Sequence, residues 1–184
     1  VYPSFSRYNT PDGMGFGRHS GTVWPHIQGF WADAMALNGE IERFDKEFII
    51  QTDNALRYYQ FAEIYHPLTG EIYGGRQERG KRGISEWESE PYQTWSATAY
   101  LRNVYMDLAG MKFGVDGITF SPIGSGLSDS VSLISVKYRD SILNINIKGM
   151  GNSVKKFSVN GVLQLKPFIS SASKGNLDIE IEMG

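Results

Sequence analysis

The stretch AEIYHPLTG at residues 62–70, followed by TWSA at residues 94–97, decides how this chain is organised. The first stretch places a carboxylate, Glu63, at the end of a long amphipathic segment, and the second opens an aromatic-led helix. A Gly-rich segment lies between them. A general base needs a carboxylate that a stiff element holds at the mouth of a pocket, beside a loop that shapes the substrate site. We therefore expect Glu63 to be the catalytic group of a site built on helical hairpins.

Hydrophobic periodicity predicts three amphipathic helices around these two stretches. Helix one follows an N-cap at Thr22, helix two runs over residues 40–62, and helix three begins at Pro91 and ends at Gly110. Residues 66–89, between the last two helices, are predicted to form a long Gly-rich loop. A loop of this length inside a compact domain is usually functional or disordered.

The hydrophobic period changes from 3.6 to 2 beyond Gly114, as expected for β-strands. All four Trp and nine of the ten Tyr precede residue 106, so the composition changes at the same place. We predict an α+β chain with a helical domain over residues 1–112 and a small antiparallel β-sandwich over residues 113–184. The dipeptide Asn160-Gly161 between two apolar runs predicts a hairpin. The predicted strands cover residues 117–120, 131–138, 141–148, 153–159 and 177–182.

Composition excludes several classes of partner and cofactor. The formal net charge is −2 and the Lys and Arg residues are interleaved with acids, so we expect no nucleic acid partner. No apolar run approaches the roughly 20 residues of a membrane span, so no membrane partner is expected. Cysteine is absent and the three His have no metal-ligand spacing, so the sequence predicts no metal site and no cofactor. The composition does not indicate a cellular compartment.

Four segments, in order, resemble one group of sugar-cleaving enzymes. The resemblance is to glycosidases built on a barrel of six helical hairpins: trehalases, glucoamylases, processing α-glucosidases and glycogen-debranching glucosidases. SGTVWPH at residues 20–26 is similar to their segment at the sugar subsite, and EIYHPLTG at 63–70 to the segment that carries the general base. YQTWSATAYL at 92–101 resembles the start of the last barrel helix. GVDGITFSP at 114–122 resembles the strand that leads into an appended sandwich.

The resemblance implies a fold and a mechanism. The chain would contain the last helical hairpins of an (α/α)6 barrel followed by a β-sandwich, and would belong to an inverting glycosidase that acts on α-linked sugars. Glu63 would take a proton from the attacking water, and a general acid would stand about 6.5 to 9.5 Å away on the opposite side of the bond. That acid lies on an earlier hairpin in the family. We therefore expect it outside this chain, and we expect the isolated chain to be inactive.

Several side chains are candidates for binding an oligosaccharide or glycoside. Trp24 lies at the start of helix one, where its ring could stack on a sugar, whereas the deeper Trp31 is expected in the core. Glu86 and Glu88 are the alternative carboxylates for the base, although acids at such a place also suit a helix N-terminus. His66 stands where the family has Asp. The predicted substrate-binding residues are Arg18, Trp24, His26, Gln28, Tyr65 and Trp87.

Three helices provide too few surfaces to cover the aromatic residues of this chain. We infer that the chain is the C-terminal portion of a larger helical domain, or that another chain supplies the remaining barrel helices. Two alternatives to a hydrolase stay open. A sugar phosphorylase on the same barrel would need a cationic pocket, for which Arg18 and the group at residues 76–82 are the candidates. A non-catalytic carbohydrate-binding module would need no base at all.

Overall fold

The protein is described by a computed structural model that covers residues 16–19, 21–78 and 80–184. These residues have a mixed α+β fold, which confirms the predicted class. The first residues of the predicted domain over 1–112 lie outside the described residues. The described part contains three α-helices: α1 (Pro25–Leu37), α2 (Ile41–Tyr58) and α3 (Thr94–Arg102).

Short helical and extended elements complete the described residues. A 3₁₀-helix spans Gly80–Arg82, and a π-helix over Asn103–Leu108 continues α3. The strands are β1 (Arg76–Glu78), β2 (Ile84–Glu86), β3 (Met111–Phe113), β4 (Gly117–Phe120), β5 (Ser130–Tyr138), β6 (Ser141–Lys148), β7 (Val154–Val159), β8 (Val162–Leu163), β9 (Phe168–Ser170) and β10 (Gly175–Met183).

Two helix boundaries differ from the prediction because residues with positive φ interrupt the backbone. Helix α2 ends at Tyr58 rather than near residue 62, since Tyr59 has φ 52°. Helix α3 begins at Thr94 rather than at Pro91, and Tyr92 has φ 51°. Positive φ is uncommon for residues with a Cβ and is incompatible with a continuing right-handed helix. Glu63 therefore lies beyond the end of α2, in a bend outside the regular helices and strands.

The described residues divide into two compact units. The first comprises the residues up to Ala34 together with Lys46–Leu101, and the second comprises Met35–Asp45 and Arg102–Gly184. This division follows contacts between residues and does not test independent folding, so the predicted domain boundary at residues 112 and 113 stays a prediction.

Helices of the first unit pack through small and aromatic side chains. A Cβ on Gly29 of α1 would lie 2.7 Å from the Cβ of Ala99 in α3, so the glycine permits close approach of these two helices. Phe48 of α2 stacks on Tyr100 of α3 with ring centroids 4.9 Å apart. In the same unit Trp31, which was expected in the core, is 46% exposed. The expectation for Trp31 was therefore wrong.

Two sheets make up most of the second unit. One has the strand order β5-β6-β10-β7-β8 and the other β3-β4-β9. Their buried side chains form one apolar cluster, in which Phe120 of β4 lies 5.4 Å from Phe157 of β7 between ring centroids. Strands β6 and β10 pair in parallel, so the predicted wholly antiparallel sandwich is corrected to a mixed one. The parallel pair arises because β10 inserts between β6 and β7.

The turn residues Asn160 and Gly161 account for one predicted connection. The shortness of several strands explains why they were not predicted. Asn160 and Gly161 have φ 50° and 77°, and Val159 pairs with Val162 across them, which confirms the predicted hairpin. The missed strands β1, β2, β3, β8 and β9 have two or three residues each, too few to establish a period. Two of these, β1 and β2, pair within the segment that was predicted to be a loop.

Candidate active site

The backbone around Glu63 is fixed by neighbouring segments of the first unit. Glu63 N donates to Glu90 O at 2.9 Å, and Ile64 N donates to Ser89 Oγ at 2.9 Å. On the other side, Tyr65 and Val23 exchange two backbone hydrogen bonds of 2.9 Å. A backbone segment with hydrogen bonds on both sides is a stiff support for a side chain. The predicted support was the end of a helix, which the structure replaces with these contacts between segments.

The Glu63 carboxylate is held through one of its two oxygens. Oε2 accepts a hydrogen bond of 2.7 Å from Arg18 Nη2 and one of 3.3 Å from Glu90 N. Oε1 accepts no hydrogen bond from the described residues. The side chain is 7% exposed, so it is not turned outward into bulk solvent. One oxygen is thus anchored while the other is left for a further partner.

Arg18 links Glu63 to the segment between α2 and α3. Its Nη1 donates to Gly74 O at 2.9 Å, and its guanidinium carbon lies 5.6 Å from the Trp24 ring and 5.2 Å from the Trp87 ring. Guanidinium groups stack favourably on indole faces. Arg18, Trp24 and Trp87 were predicted to bind substrate, and the structure brings all three together at Glu63. Whether they contact a sugar stays a prediction.

His26 joins the same cluster through aromatic contacts. Its ring centroid lies 5.7 Å from that of Trp24 and 5.2 Å from that of Trp95. Burial lowers the pKa of His26 below its usual value, and the negative charge of Glu63 opposes that shift. A neutral imidazole has one donor and one acceptor nitrogen, which suits a hydroxyl group. The predicted role of His26 in substrate binding is compatible with this place and stays a prediction.

Two further predicted residues lie in the interior of the first unit. Gln28 is 3% exposed and its Nε2 donates to Glu47 Oε2 at 3.0 Å. Tyr65 is also 3% exposed, and its hydroxyl accepts a 3.1 Å hydrogen bond from Ala62 N. Burial raises the pKa of Tyr65, against a smaller opposing effect of that hydrogen bond and with a further rise from Tyr58. The structure thus gives both residues intramolecular partners.

The alternative carboxylates differ from Glu63 in exposure. Glu86 has a side chain that is 79% exposed and pairs with Arg76 at 3.4 Å, and Glu88 is exposed. Glu90 is also exposed, and its backbone rather than its carboxylate contacts Glu63. Among these four acids Glu63 alone is buried. Burial with a fixed hydrogen bond orients a carboxylate, which an exposed rim acid lacks.

Sequence reasoning named Arg18 as a candidate site residue but missed the contacts that position Glu63. The carbonyl and amide of Glu90, the hydroxyl of Ser89 and the ion pair with Arg18 are contacts between segments 25 to 45 residues apart. No local pattern reports such contacts. Within the described residues no group of three or more His, Cys, Asp or Glu side chains could hold a metal ion.

No family model matches the sequence, and no curated protein shows a significant match. Among the described helices, none has the length and apolar character needed to cross a bilayer.

Proposed function

We propose that this chain is part of an inverting glycoside hydrolase that cleaves α-linked sugars, with Glu63 as the general base. One observation carries the proposal: Glu63 is buried and anchored through Oε2, while Oε1 accepts no hydrogen bond from the described residues. A base must be oriented, yet keep one oxygen for the proton that it accepts. The alternative acids, which are exposed, have no comparable anchor.

The chemistry assigned to Glu63 is proton abstraction. In this proposal a water donates a hydrogen bond to Oε1, and its oxygen attacks the anomeric carbon while its proton passes to the carboxylate. The bond from the anomeric carbon to the leaving oxygen breaks, and a general acid protonates that oxygen. The ion pair with Arg18 at Oε2 fixes the orientation of the carboxylate during this step.

The resemblance to barrel glycosidases supports the substrate class and implies a general acid outside this chain. The exposed aromatic side chains of the helices support the same picture, because Phe30 is 55% exposed and Trp95 is 44% exposed. Further barrel helices, from the same protein or from another chain, would cover such residues. We accordingly expect the 184-residue chain alone to hydrolyse nothing.

The ion pairs favour hydrolysis over phosphorolysis. A phosphorylase needs cations that are free to bind phosphate beside the anomeric carbon. Arg18 is paired with Glu63, and Arg76 is paired with Glu86. Two of the cationic candidates of the phosphorylase alternative, Arg18 and Arg76, are therefore each paired with a carboxylate.

The configuration of the first product tests the proposal. The complete natural protein is mixed with an aryl α-glycoside, and proton NMR follows the anomeric signal of the released sugar. We expect the β-anomer to appear first, without any dependence on phosphate. Initial release of the α-anomer would exclude inversion, and a sugar phosphate formed only in the presence of phosphate would establish the phosphorylase. Unchanged turnover by Glu63→Gln would leave only the non-catalytic role for this site.

A further inference from the structure

A cavity of about 390 Å³ lies in the second unit, between the end of α1, the π-helix and the segment that follows β4. It shares no lining residue with the candidate site around Glu63, which belongs to the first unit. Ligand sites commonly have volumes of about 300 to 1,000 Å³. The cavity therefore has the size of a small-molecule site, and the proposed hydrolysis does not use it.

Hydrogen bonds hold the walls of this cavity together. Ile123 N donates to Asp107 O at 3.2 Å, which ties the segment after β4 to the π-helix. The next residues of that segment bind α2, because Ser125 Oγ donates to Asp45 Oδ1 at 2.7 Å and Gly126 N donates to Asp45 Oδ2 at 2.8 Å. One segment thus joins two helical walls of the cavity. Such pre-organisation lowers the entropic cost of binding a ligand.

The apolar part of the lining is aliphatic. Among the described residues that line the cavity, none is aromatic. The apolar lining residues are Ala36, Leu37, Ile41, Met106, Pro122 and Ile123. Without an aromatic ring the cavity lacks a surface on which the C–H face of a sugar stacks. A small aliphatic group would instead bury its apolar surface against these side chains, which is favourable in water.

Two lining residues carry charges of opposite sign, and they differ in burial. Asp107 is 3% exposed, whereas Lys112 is exposed. Asp107 Oδ2 accepts a hydrogen bond of 2.9 Å from Asn103 Nδ2, and a carboxylate has further lone pairs for other donors. Asp107 also lies in the π-helix, a type of element that is frequent at functional sites. The cavity thus has an acid in its buried part and an ammonium group in its exposed part.

We propose that this cavity binds a free α-amino acid with a branched aliphatic side chain. A simple anion would meet the carboxylate of Asp107, and a simple cation would meet the ammonium of Lys112, whereas an α-amino acid carries both charges. Its ammonium donates to Asp107, its carboxylate accepts from Lys112 Nζ, and its side chain packs on the aliphatic residues of the lining. The inference goes beyond the proposed function and needs no catalytic role for Glu63.

The test is a binding titration of the full chain, in which NMR follows the methyl signals of isotope-labelled methionines. The probes are L-leucine, isoamylamine, which lacks the carboxylate, isocaproate, which lacks the ammonium, and maltose. We expect L-leucine to shift the signal of Met106, which lines the cavity, and to leave in place that of Met183 in the apolar cluster. Each analogue should bind at least about tenfold more weakly, because it loses the hydrogen bond to one charged group. Maltose should shift neither signal.

Matched variants separate the cavity from general surface effects. Lys112→Met alters an exposed residue, so the fold should persist. It should weaken L-leucine binding by about tenfold and leave isoamylamine binding unchanged, since the amine has no carboxylate for Lys112 to bind. Lys166→Met, at an exposed lysine outside the lining, should change neither.

Four results would each overturn the proposal. They are a Met106 signal that L-leucine leaves in place, leucine binding that Lys112→Met leaves unchanged, equal binding of leucine and either analogue, and a shift of Met106 by maltose. Because the readout is binding of an amino acid in the second unit, its failure is distinct from any failure of Glu63 in catalysis.

Discussion

The two compact units bury apolar and polar side chains in different proportions. The second unit has twelve buried apolar residues in one cluster among its described residues, and both of its sheets contribute. Among the described residues the first unit buries two glutamates, Glu47 and Glu63, whereas the buried carboxylate of the second unit is Asp107. The first unit also leaves large aromatic side chains in solvent. An apolar interior stabilises a fold, whereas a buried charge is costly unless it has partners. The proposed chemistry belongs to the first unit, where the buried Glu63 is paired with Arg18.

The largest effect expected from this comparison is on catalysis. Glu63→Gln keeps the shape of the side chain and removes its basicity, so kcat of the complete natural protein should fall by about 10² to 10⁴. KM should change little, since the anchoring segment remains. The matched control is Glu88→Gln, which alters an exposed acid and should leave kcat within a factor of two or so. A larger loss in the control than in Glu63→Gln would move the base to the exposed segment.

The next effect is on stability, and it compares a buried residue of the second unit with an exposed residue of α2. Ile181→Ala in the cluster of the second unit should lower the free energy of unfolding by about 2 to 5 kcal/mol, because a cavity replaces a buried side chain. Leu56→Ala in α2, where the side chain is 66% exposed, should change it by less than about 0.5 kcal/mol. Urea unfolding of the isolated chain measures both. Equal losses of unfolding free energy in the two variants would contradict the prediction that Ile181 lies in a packed core and Leu56 on an exposed helix face.

Arg18 should have a smaller effect on catalysis than Glu63, and its removal should also lower stability because a buried carboxylate loses its partner. Arg18→Met removes the 2.7 Å ion pair and with it the orientation of Glu63, so kcat should fall by about tenfold to a hundredfold while KM changes less. Arg18→Lys should restore part of kcat, since a lysine keeps the charge but loses the planar contacts. A rise in KM at constant kcat would instead make Arg18 a substrate-binding residue, as the sequence predicts.

The smallest effect is the dependence of stability on pH through His26. Its folded pKa lies below the unfolded value of about 6.5, so the unfolded state binds protons more readily between the two values. His26 therefore costs stability as the pH falls below about 6.5, and this cost is absent above that value. Thermal unfolding of the wild-type chain and of His26→Gln at pH 5 and pH 8 measures it. The variant should lose less stability on acidification; an equal loss would contradict the pKa direction.

The sequence predicts the sandwich better than the site, for physical reasons. Strand β6 was predicted with its observed bounds, because Leu143, Ile145 and Ile147 alternate with more exposed residues. The parallel pairing of β6 and β10 was missed, since pairing between distant strands leaves no local pattern. The α+β class follows from the change of period near Gly114. The barrel itself stays a prediction from the resemblance.

The candidate site likewise depends on contacts between distant segments, which a local sequence pattern does not report. Glu63 was chosen from a motif, and its burial could not be deduced from the period of α2, because the helix ends earlier at Tyr58. Its ion pair with Arg18 joins residues 45 positions apart. The anchoring of one carboxylate oxygen is a tertiary feature of this kind. Residue types and their order therefore predict the candidate base, while its geometry requires the folded chain.

Chemical rescue of Glu63→Ala tests the central claim most directly. In the complete natural protein this variant should be nearly inactive on an aryl α-glycoside, and sodium azide should restore turnover by replacing the activated water. The expected product is a β-glycosyl azide, formed as the bond to the aryl oxygen breaks with inversion. Absence of azide-dependent turnover in a folded Glu63→Ala protein, together with rescue of Glu88→Ala, would contradict the assignment of Glu63 as the base.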